Sequence, residues 1–198
     1  MRLKSTLLLA VIMVLFVSAA AGEGTDGWIR TPEVTATPAP NAFRFRDGIR
    51  WGMNMDQVRA LETEPMTERS MQNWSIMLTD GKVSVSRFTA DLVFMFCEGK
   101  LMMASYEFAQ GTEDSFRYLG GALSSLYGEP ADAEPLKIKA LMDAINPNRY
   151  KTELITQASA WNAGDGTGIY LYYYAQSDFA IMYVSPELNS RIYQTNGL

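Results

Sequence analysis

Residues 92–108 read LVFMFCEGKLMMASYEF, and they carry the clearest structural signal in the chain. Two apolar runs, Leu92–Cys97 and Lys100–Phe108, flank the dipeptide Glu98-Gly99. A two-residue connection with glycine in second place is typical of a tight β-hairpin. The stretch therefore predicts two antiparallel strands joined directly, which places the chain among proteins built on antiparallel sheet.

Strand-like runs continue on both sides of this hairpin. On the N-terminal side, Trp74–Leu78 and Lys82–Phe88 flank Asp80-Gly81, a dipeptide that favours a hairpin turn. Together these runs predict an antiparallel meander of about four strands. Three further strands are expected later in the chain, at Leu154–Trp161, Gly168–Tyr174 and Phe179–Val184.

A helix signal precedes the first group of strands. Asn54 and Gln57 have the spacing of a capping box, in which each residue's side chain bonds the other's backbone N–H. The helix that they open is expected over Met55–Thr63, because Pro65 cannot continue it.

A second helix is expected from Thr112 to Tyr127, where apolar residues recur at helical spacing. Gly128 is expected to supply a left-handed position at its C-terminus, and Pro130 the stop. A weaker helix is predicted over Pro135–Ile145, and the tail after Pro186 is expected to be irregular.

The order of these elements suggests a duplication. Residues 58–65 (VRALETEP) and 123–130 (LSSLYGEP) both end a helix at Glu-Pro. The predicted fold class is α+β, with two helix-then-antiparallel-meander halves, about 42–110 and 111–198, and the helices packed on antiparallel sheet. The alternative to a duplication is two unrelated amphipathic helices that both stop at a proline.

The segment Ile49–Val58, IRWGMNMDQV, resembles the entry of small secreted modules of the beta-lactamase inhibitory protein and SmpA-OmlA lipoprotein type. In those modules a Gly-Met/Thr-x-x-x-Val helix packs on an antiparallel sheet. The resemblance extends more loosely to Leu119–Pro130. It implies the architecture alone, because this chain lacks the inhibitor's disulfides and the lipoprotein's lipobox cysteine, so no binding residue is carried over.

The N-terminus predicts export. Basic Arg2 and Lys4 precede the apolar run Leu7–Val17, and an Ala-x-Ala pattern ends at Ala21, which is the layout of a cleaved signal peptide over residues 1–21. The alternative is an uncleaved anchor, but the apolar run is shorter than the roughly 20 residues that span a bilayer.

A Pro/Thr-rich spacer is predicted over residues 22–41, followed by an α+β domain over residues 42–198. The spacer is expected to be disordered, either holding the domain away from the cell surface or serving no role. The expected location is secreted or extracytoplasmic, in a bacterium, because a disulfide-free exported chain fits a bacterial exporter best.

Composition excludes several kinds of chemistry. The chain carries a formal net charge of −5 and no histidine. An acidic chain repels nucleic acid and anionic lipid, so neither is an expected partner beyond the signal peptide's own contact with the membrane. Without histidine, a Ser-His-Asp or Cys-His site is impossible and a typical zinc site is disfavoured. No cofactor or metal is expected.

Single residues carry little further chemistry. Cys97 is the one cysteine, so no internal disulfide can form, and its apolar neighbours predict a buried thiol. The Gly-rich stretch Asn162–Gly168 holds one acid, Asp165, and reads as a mobile hairpin loop rather than a phosphate or calcium loop. The acids Asp132, Glu134 and Asp143 are expected at the solvated surface rather than as a catalytic pair.

The most suggestive stretch is Ile169–Tyr174, IYLYYY. In a strand, Tyr170, Tyr172 and Tyr174 share one face, and the other face reads as core. A row of tyrosines is common at binding surfaces, and Trp161 could extend it. The alternative is a row covered by a helix or by the neighbouring strand.

The sequence therefore predicts a secreted, non-enzymatic binding protein with an extracytoplasmic protein or glycan as its partner. Protein–protein interaction is the first hypothesis, with Tyr170, Tyr172, Tyr174 and Trp161 as candidate binding residues and no catalytic residue. The alternative is binding of a glycan or cell-wall polymer through the same aromatic side chains. A third possibility is an enzyme of a class that the sequence does not reveal.

Overall fold

The hairpin around Glu98-Gly99 forms as predicted in a computed structural model, which describes residues 45–71, 73–132, 155–174 and 178–195. Glu98 and Gly99 both have positive φ, 52° and 75°, which matches the twist of a tight hairpin turn. The predicted signal peptide, the spacer and the helix over Pro135–Ile145 lie outside the described residues. Within those residues, no helix is long and apolar enough to cross a membrane.

The described residues form three helices and nine strands. The helices are α1 (Met55–Leu61), α2 (Glu113–Tyr127) and α3 (Pro186–Thr195). The strands are β1 (Met66–Met71), β2 (Trp74–Thr79), β3 (Val83–Val85), β4 (Phe88–Cys97), β5 (Lys100–Phe108), β6 (Ala131–Asp132), β7 (Ile155–Asn162), β8 (Gly168–Tyr174) and β9 (Asp178–Val184).

The strands make one antiparallel sheet in the order β1-β2-β4-β5-β9-β8-β7-β6, and β3 pairs with β4 beside this path. The α+β class with antiparallel sheet is thus confirmed. Strands β5 and β9 meet at the centre, with Met103 opposite Val184 and Phe108 opposite Phe179. Strand β1 is an outer strand that the sequence did not reveal, because its residues, MTERSM, show no apolar alternation.

The prediction of a hairpin turn at Asp80-Gly81 was wrong. Strands β2 and β3 do not pair with each other, and both pair with β4 on the same side. The Thr79 hydroxyl bridges the interruption, because it contacts both the N–H (3.2 Å) and the carbonyl (3.4 Å) of Leu92. The hairpin turn lies instead at Ser86-Arg87, where Ser86 has φ 55°.

One face of the sheet is covered by α1, by α2 and by the segment at residues 45–53, here called the arm. The arm carries no strand, and it packs through Phe45 and Ile49, which are both buried. Its backbone pairs with β5, because Gly52 N–H donates to the Leu101 carbonyl (3.0 Å) and Leu101 N–H donates to the Met53 carbonyl (2.8 Å).

Helix α1 begins with the predicted capping box. Asn54 accepts a hydrogen bond from Gln57 N–H (2.9 Å), and the Gln57 side chain accepts one from Asn54 N–H (2.9 Å). The helix ends at Leu61, two residues before the predicted end, and it buries Val58 against the sheet.

Helix α2 confirms the second prediction. Thr112 caps its N-terminus, with its hydroxyl accepting a hydrogen bond from Ser115 N–H (3.2 Å). Phe116, Leu119 and Leu123 are buried against the sheet. Gly128 has the expected positive φ of 91°, but its ψ of −167° lies outside the left-handed helical region.

The C-terminal tail is helical, so the prediction of an irregular end was wrong. The hydroxyl of Ser185 accepts a hydrogen bond from Leu188 N–H (3.3 Å), which is a helix cap, and Pro186 occupies the first helical position. The Ser-Pro-Glu sequence carried this start signal, but little apolar periodicity follows it.

The second face of the sheet is also apolar. Its buried cluster is rich in methionine and includes Met95, Met103 and Met182, together with Trp74. Among the described residues, the cluster takes its members from the strands and from Leu188 of α3. The sheet is therefore buried on both sides over much of its area.

Candidate functional site

Two members of the predicted tyrosine row, Tyr170 and Tyr172, lie in the interior of the sheet's second face. Tyr170 and Tyr172 are 3% and 2% exposed. The Tyr170 hydroxyl donates to the Asn189 side-chain oxygen at 2.7 Å, which ties β8 to α3. The two faces of β8 alternate as predicted, but neither Tyr170 nor Tyr172 presents its ring to solvent.

Trp161 does not extend this row. It is 3% exposed and belongs to the cluster on the opposite face, where its indole N–H donates to the Gly128 carbonyl at 3.0 Å. The backbone of Tyr174 pairs with Asp178 of β9. The structure therefore places Trp161 on the opposite face of the sheet from Tyr170 and Tyr172.

The other predictions concern Cys97, the Asn162–Gly168 loop, the acidic residues and metal binding. Cys97 is half-buried rather than fully buried. The Asn162–Gly168 loop is a hairpin connection as predicted, and it is closed by internal hydrogen bonds, including one from Ala163 N–H to the Thr167 carbonyl at 2.9 Å. Glu134 and Asp143 lie outside the described residues. Within the described ranges, no group of three metal-binding side chains comes together.

A cluster of exposed Arg87 and Tyr118 with half-buried Phe88 lies where the β3–β4 hairpin meets α2. The guanidinium carbon of Arg87 lies 4.0 Å from the centroid of the Tyr118 ring and 5.2 Å from that of Phe88. The Ser86 and Tyr118 hydroxyls lie 3.1 Å apart, within hydrogen-bond distance. We call Arg87, Phe88 and Tyr118 the Arg87 surface.

The Arg87 surface rests on a chain of packed rings. Phe88 makes edge contacts with Tyr118 (centroids 5.6 Å apart) and with Phe108 (6.4 Å). Phe108 in turn stacks on Phe179 at 4.6 Å. Because Phe108 and Phe179 are buried in the core, the exposed rings are held in place from below.

A groove of about 270 Å³ opens beside these rings. Its walls include Phe88, Phe108 and Phe179, with Gln110 and Ser115 supplying polar atoms. The groove therefore presents both aromatic and polar surface to a ligand.

A second cavity, of about 440 Å³, lies beside Arg46 and Glu62. Here the charges satisfy each other, because Arg46 bonds both carboxylate oxygens of Glu62, with Nε to Oε2 at 2.7 Å. The same carboxylate accepts the backbone N–H of Thr63 at 3.0 Å. The pair ties the arm to the end of α1, which is a structural task.

The electrostatics around this pair fit that task. Burial by itself would raise the pKa of Glu62, but hydrogen bonds and charge from Arg46, with backbone N–H groups, outweigh it and lower the pKa below 4.5. The hydrogen bond to Glu62 raises the pKa of Arg46. Burial raises the pKa of Tyr106 to about 12 and also raises the pKa of Tyr183, so both phenols stay neutral.

Glu62→Gln should lower the free energy of unfolding by about 2 kcal/mol at neutral pH, since it breaks a charged hydrogen-bond pair. The depressed pKa of Glu62 means that this stabilisation is present above pH 4.5 and is lost as the pH falls through its folded value. Urea unfolding at neutral and acid pH should therefore show the difference from wild type shrinking in acid. Glu98→Gln, in an exposed turn, is the control, and a deficit independent of pH would contradict the assignment.

Arg87 differs from Arg46 in having no acid beside it. Among the described residues, its guanidinium forms no ion pair or hydrogen bond, and its contacts are the two rings. Two partial signals of this site are present in the sequence. Ser86-Arg87 separates two strand-like runs, and Tyr118 lies off the buried stripe of α2, where it is 41% exposed. Neither signal indicates that the two elements meet.

No protein-family model, curated protein or solved structure matches this chain.

Proposed function

We propose that this chain is a secreted, non-enzymatic binding protein that recognises another protein through the Arg87 surface. The observation that carries the proposal is an exposed arginine whose guanidinium carbon lies 4.0 Å from the centroid of the Tyr118 ring, next to a groove with aromatic walls. Arginine and tyrosine are enriched among residues that dominate the energy of protein interfaces. Their pre-ordered packing lowers the entropy that a partner must remove on binding.

Export is part of the same proposal. The signal-peptide pattern over residues 1–21 and the Pro/Thr-rich residues 22–41 support a location outside the cytoplasm, with residues 42–198 as the binding domain. The shape of the Arg87 surface favours a protein over a glycan, because its groove of about 270 Å³ holds one side chain more readily than a sugar chain.

We also propose that the domain arose by duplication of a helix-plus-sheet module. The sheet order supports this proposal, since β1-β2-β4-β5 occupy one side and β9-β8-β7-β6 the other. Helix α1 and Pro65 precede β1, and helix α2 and Pro130 precede β6. The proposal extends to the resemblance of Ile49–Val58 to modules of the beta-lactamase inhibitory protein and SmpA-OmlA type, which would be the ancestral unit.

Tyr118→Ala should weaken partner binding by about tenfold or more, because it removes the ring under Arg87. The full chain with a C-terminal tag serves as bait in the culture medium of its own organism. A captured protein is then purified and titrated against wild type and variants. Leu126→Ala, which changes another exposed apolar residue of α2, is the matched control and should bind normally.

Thermal unfolding of both variants must first show that they are folded. Equal binding by Tyr118→Ala and wild type would remove the Arg87 surface from the proposal. Capture of purified wall polymer instead of protein, lost in Tyr118→Ala, would favour the glycan alternative.

A further inference from the structure

The guanidinium of Arg87 contacts two aromatic rings, because its central carbon lies over Tyr118 and over Phe88. Among the described residues, no carboxylate, hydroxyl or carbonyl accepts its N–H groups. A guanidinium has five N–H donors in a planar fork, and that fork matches a carboxylate with two parallel hydrogen bonds. The edge of Arg87 is therefore an open position for an acidic group.

The donor is also held in position. Tyr118 is fixed by its contact with Ser86 and by packing on Phe88, so the surface on which Arg87 stacks is already ordered. A stacked arginine loses less side-chain freedom when it forms its hydrogen bonds than a free one does.

The groove adds an apolar requirement next to this charge. Arg87 and Phe88 both line it, and Phe108 and Phe179 form its inner wall. Its volume of about 270 Å³ falls just below the roughly 300–1,000 Å³ of pockets that enclose whole small-molecule ligands. One large apolar side chain suits this space, with Gln110 or Ser115 available for a backbone contact.

Charge favours a carboxylate over a phosphate. The Arg87 surface offers one cation, the neighbouring Arg117 is paired with Asp114 at 3.0 Å, and the whole chain has a net charge of −5. A doubly charged phosphate is usually held by several cations or by a helix N-terminus. A single carboxylate is matched by a single arginine.

We infer that the ligand of the Arg87 surface is a peptide segment in which an Asp or Glu lies beside a large apolar residue. The carboxylate takes the edge of Arg87, and the apolar side chain enters the groove between Phe88 and Phe179. This inference rests on the proposed function and specifies the chemistry of the partner.

The test uses fluorescein-labelled decapeptides titrated by anisotropy against the full chain. Each peptide has one Glu next to Leu, Met, Phe or Trp in a Gly/Ser background, and each has a twin with Gln and a twin with phosphoserine in place of Glu. At least one Glu peptide should bind wild type about tenfold or more tightly than its Gln twin, the loss expected when a bidentate partner is removed.

Three variants test which residue recognises the carboxylate of the peptide. Arg87→Gln should abolish the preference for Glu over Gln, and Arg87→Lys should reduce it, because an ammonium lacks the planar fork. Arg117→Gln removes a nearby cation already paired with Asp114 and should leave the preference intact.

The inference is overturned if no Glu peptide is preferred to its Gln twin, if the preference survives Arg87→Gln, or if the phosphoserine twin binds most tightly. Each of these results leaves the proposed function to be decided by the Tyr118→Ala titration. If the captured partner binds Tyr118→Ala as tightly as wild type while the preference for Glu peptides still depends on Arg87, the inferred peptide chemistry is correct. In that case the proposal that the natural partner binds the Arg87 surface is wrong.

Discussion

Replacing Phe45 with alanine should lower the free energy of unfolding by about 3–5 kcal/mol. Phe45 is 2% exposed and packs against three rings, with centroid distances of 5.6 Å to Phe94, 5.0 Å to Tyr106 and 5.2 Å to Tyr183. Alanine would leave a cavity among rings that belong to three different strands, so little collapse can fill it. Urea unfolding followed by tryptophan fluorescence measures the loss.

Arg50→Ala is the matched control, because Arg50 lies in the same arm but is exposed, and its loss should stay within about 0.5 kcal/mol. If Phe45→Ala proved as mild as Arg50→Ala, the arm would be an accessory to the fold. The expected result instead places Phe45 in the core, so the folded domain has to include residues that precede its first helix.

Gly111→Ala should destabilise the protein by about 3 kcal/mol, the upper part of the range for overpacked sites. A Cβ at this position would overlap the ring of Phe179. That ring cannot move aside, because it is stacked on Phe108 at 4.6 Å and on Tyr173 at 6.4 Å and also meets the edge of Phe116.

Gly121→Ala is the contrasting control within the same protein. Gly121 is exposed in α2 with nothing near its missing Cβ, so alanine should stabilise the helix by about 1 kcal/mol. Opposite signs for the two substitutions, measured by chemical unfolding, are the expected outcome. If both substitutions changed the free energy of unfolding by the same amount, Phe179 would be free to shift, and the wall of the groove that it forms would be mobile.

Local signals in the sequence predicted the elements whose structure is determined locally. The Glu98-Gly99 turn, the Asn54 cap and the apolar spacing of α2 each depend on residues close together in the chain, and each is confirmed. The end of α1 was placed two residues late, since Leu61 is its last helical residue.

The pairing of strands that are distant in the chain could not be predicted from the sequence. The dipeptide Asp80-Gly81 is compatible with a hairpin turn, in which β2 would pair with β3. It is equally compatible with a short interruption between two strands that both pair with β4, which is the arrangement observed. Strand β1 is polar because it lies at the sheet edge, so it lacks the alternation that marks a strand.

The candidate site shows the same division. Alternation correctly separated Tyr170 and Tyr172 from Ile169 and Leu171, but alternation does not tell whether a face meets solvent or another layer. The Arg87 surface could not be predicted from local sequence, because Arg87 belongs to a turn and Tyr118 to a helix. Their contact arises only when α2 packs beside the hairpin.

The central seam of the sheet fixes the order in which the chain can complete its fold. Strand β5 pairs with β9, so Met103 meets Val184 across a long intervening segment, whereas the hairpins on either side form from neighbouring residues. Such distant pairing slows folding, because the entropy of closing the loop is lost before the stabilising contacts form. Because synthesis begins at the N-terminus, the seam cannot close until β9 has been made, and until then β5 pairs with β4 but lacks a partner on the side that β9 will occupy. A strand edge left open in this way is prone to pair with other copies of the chain.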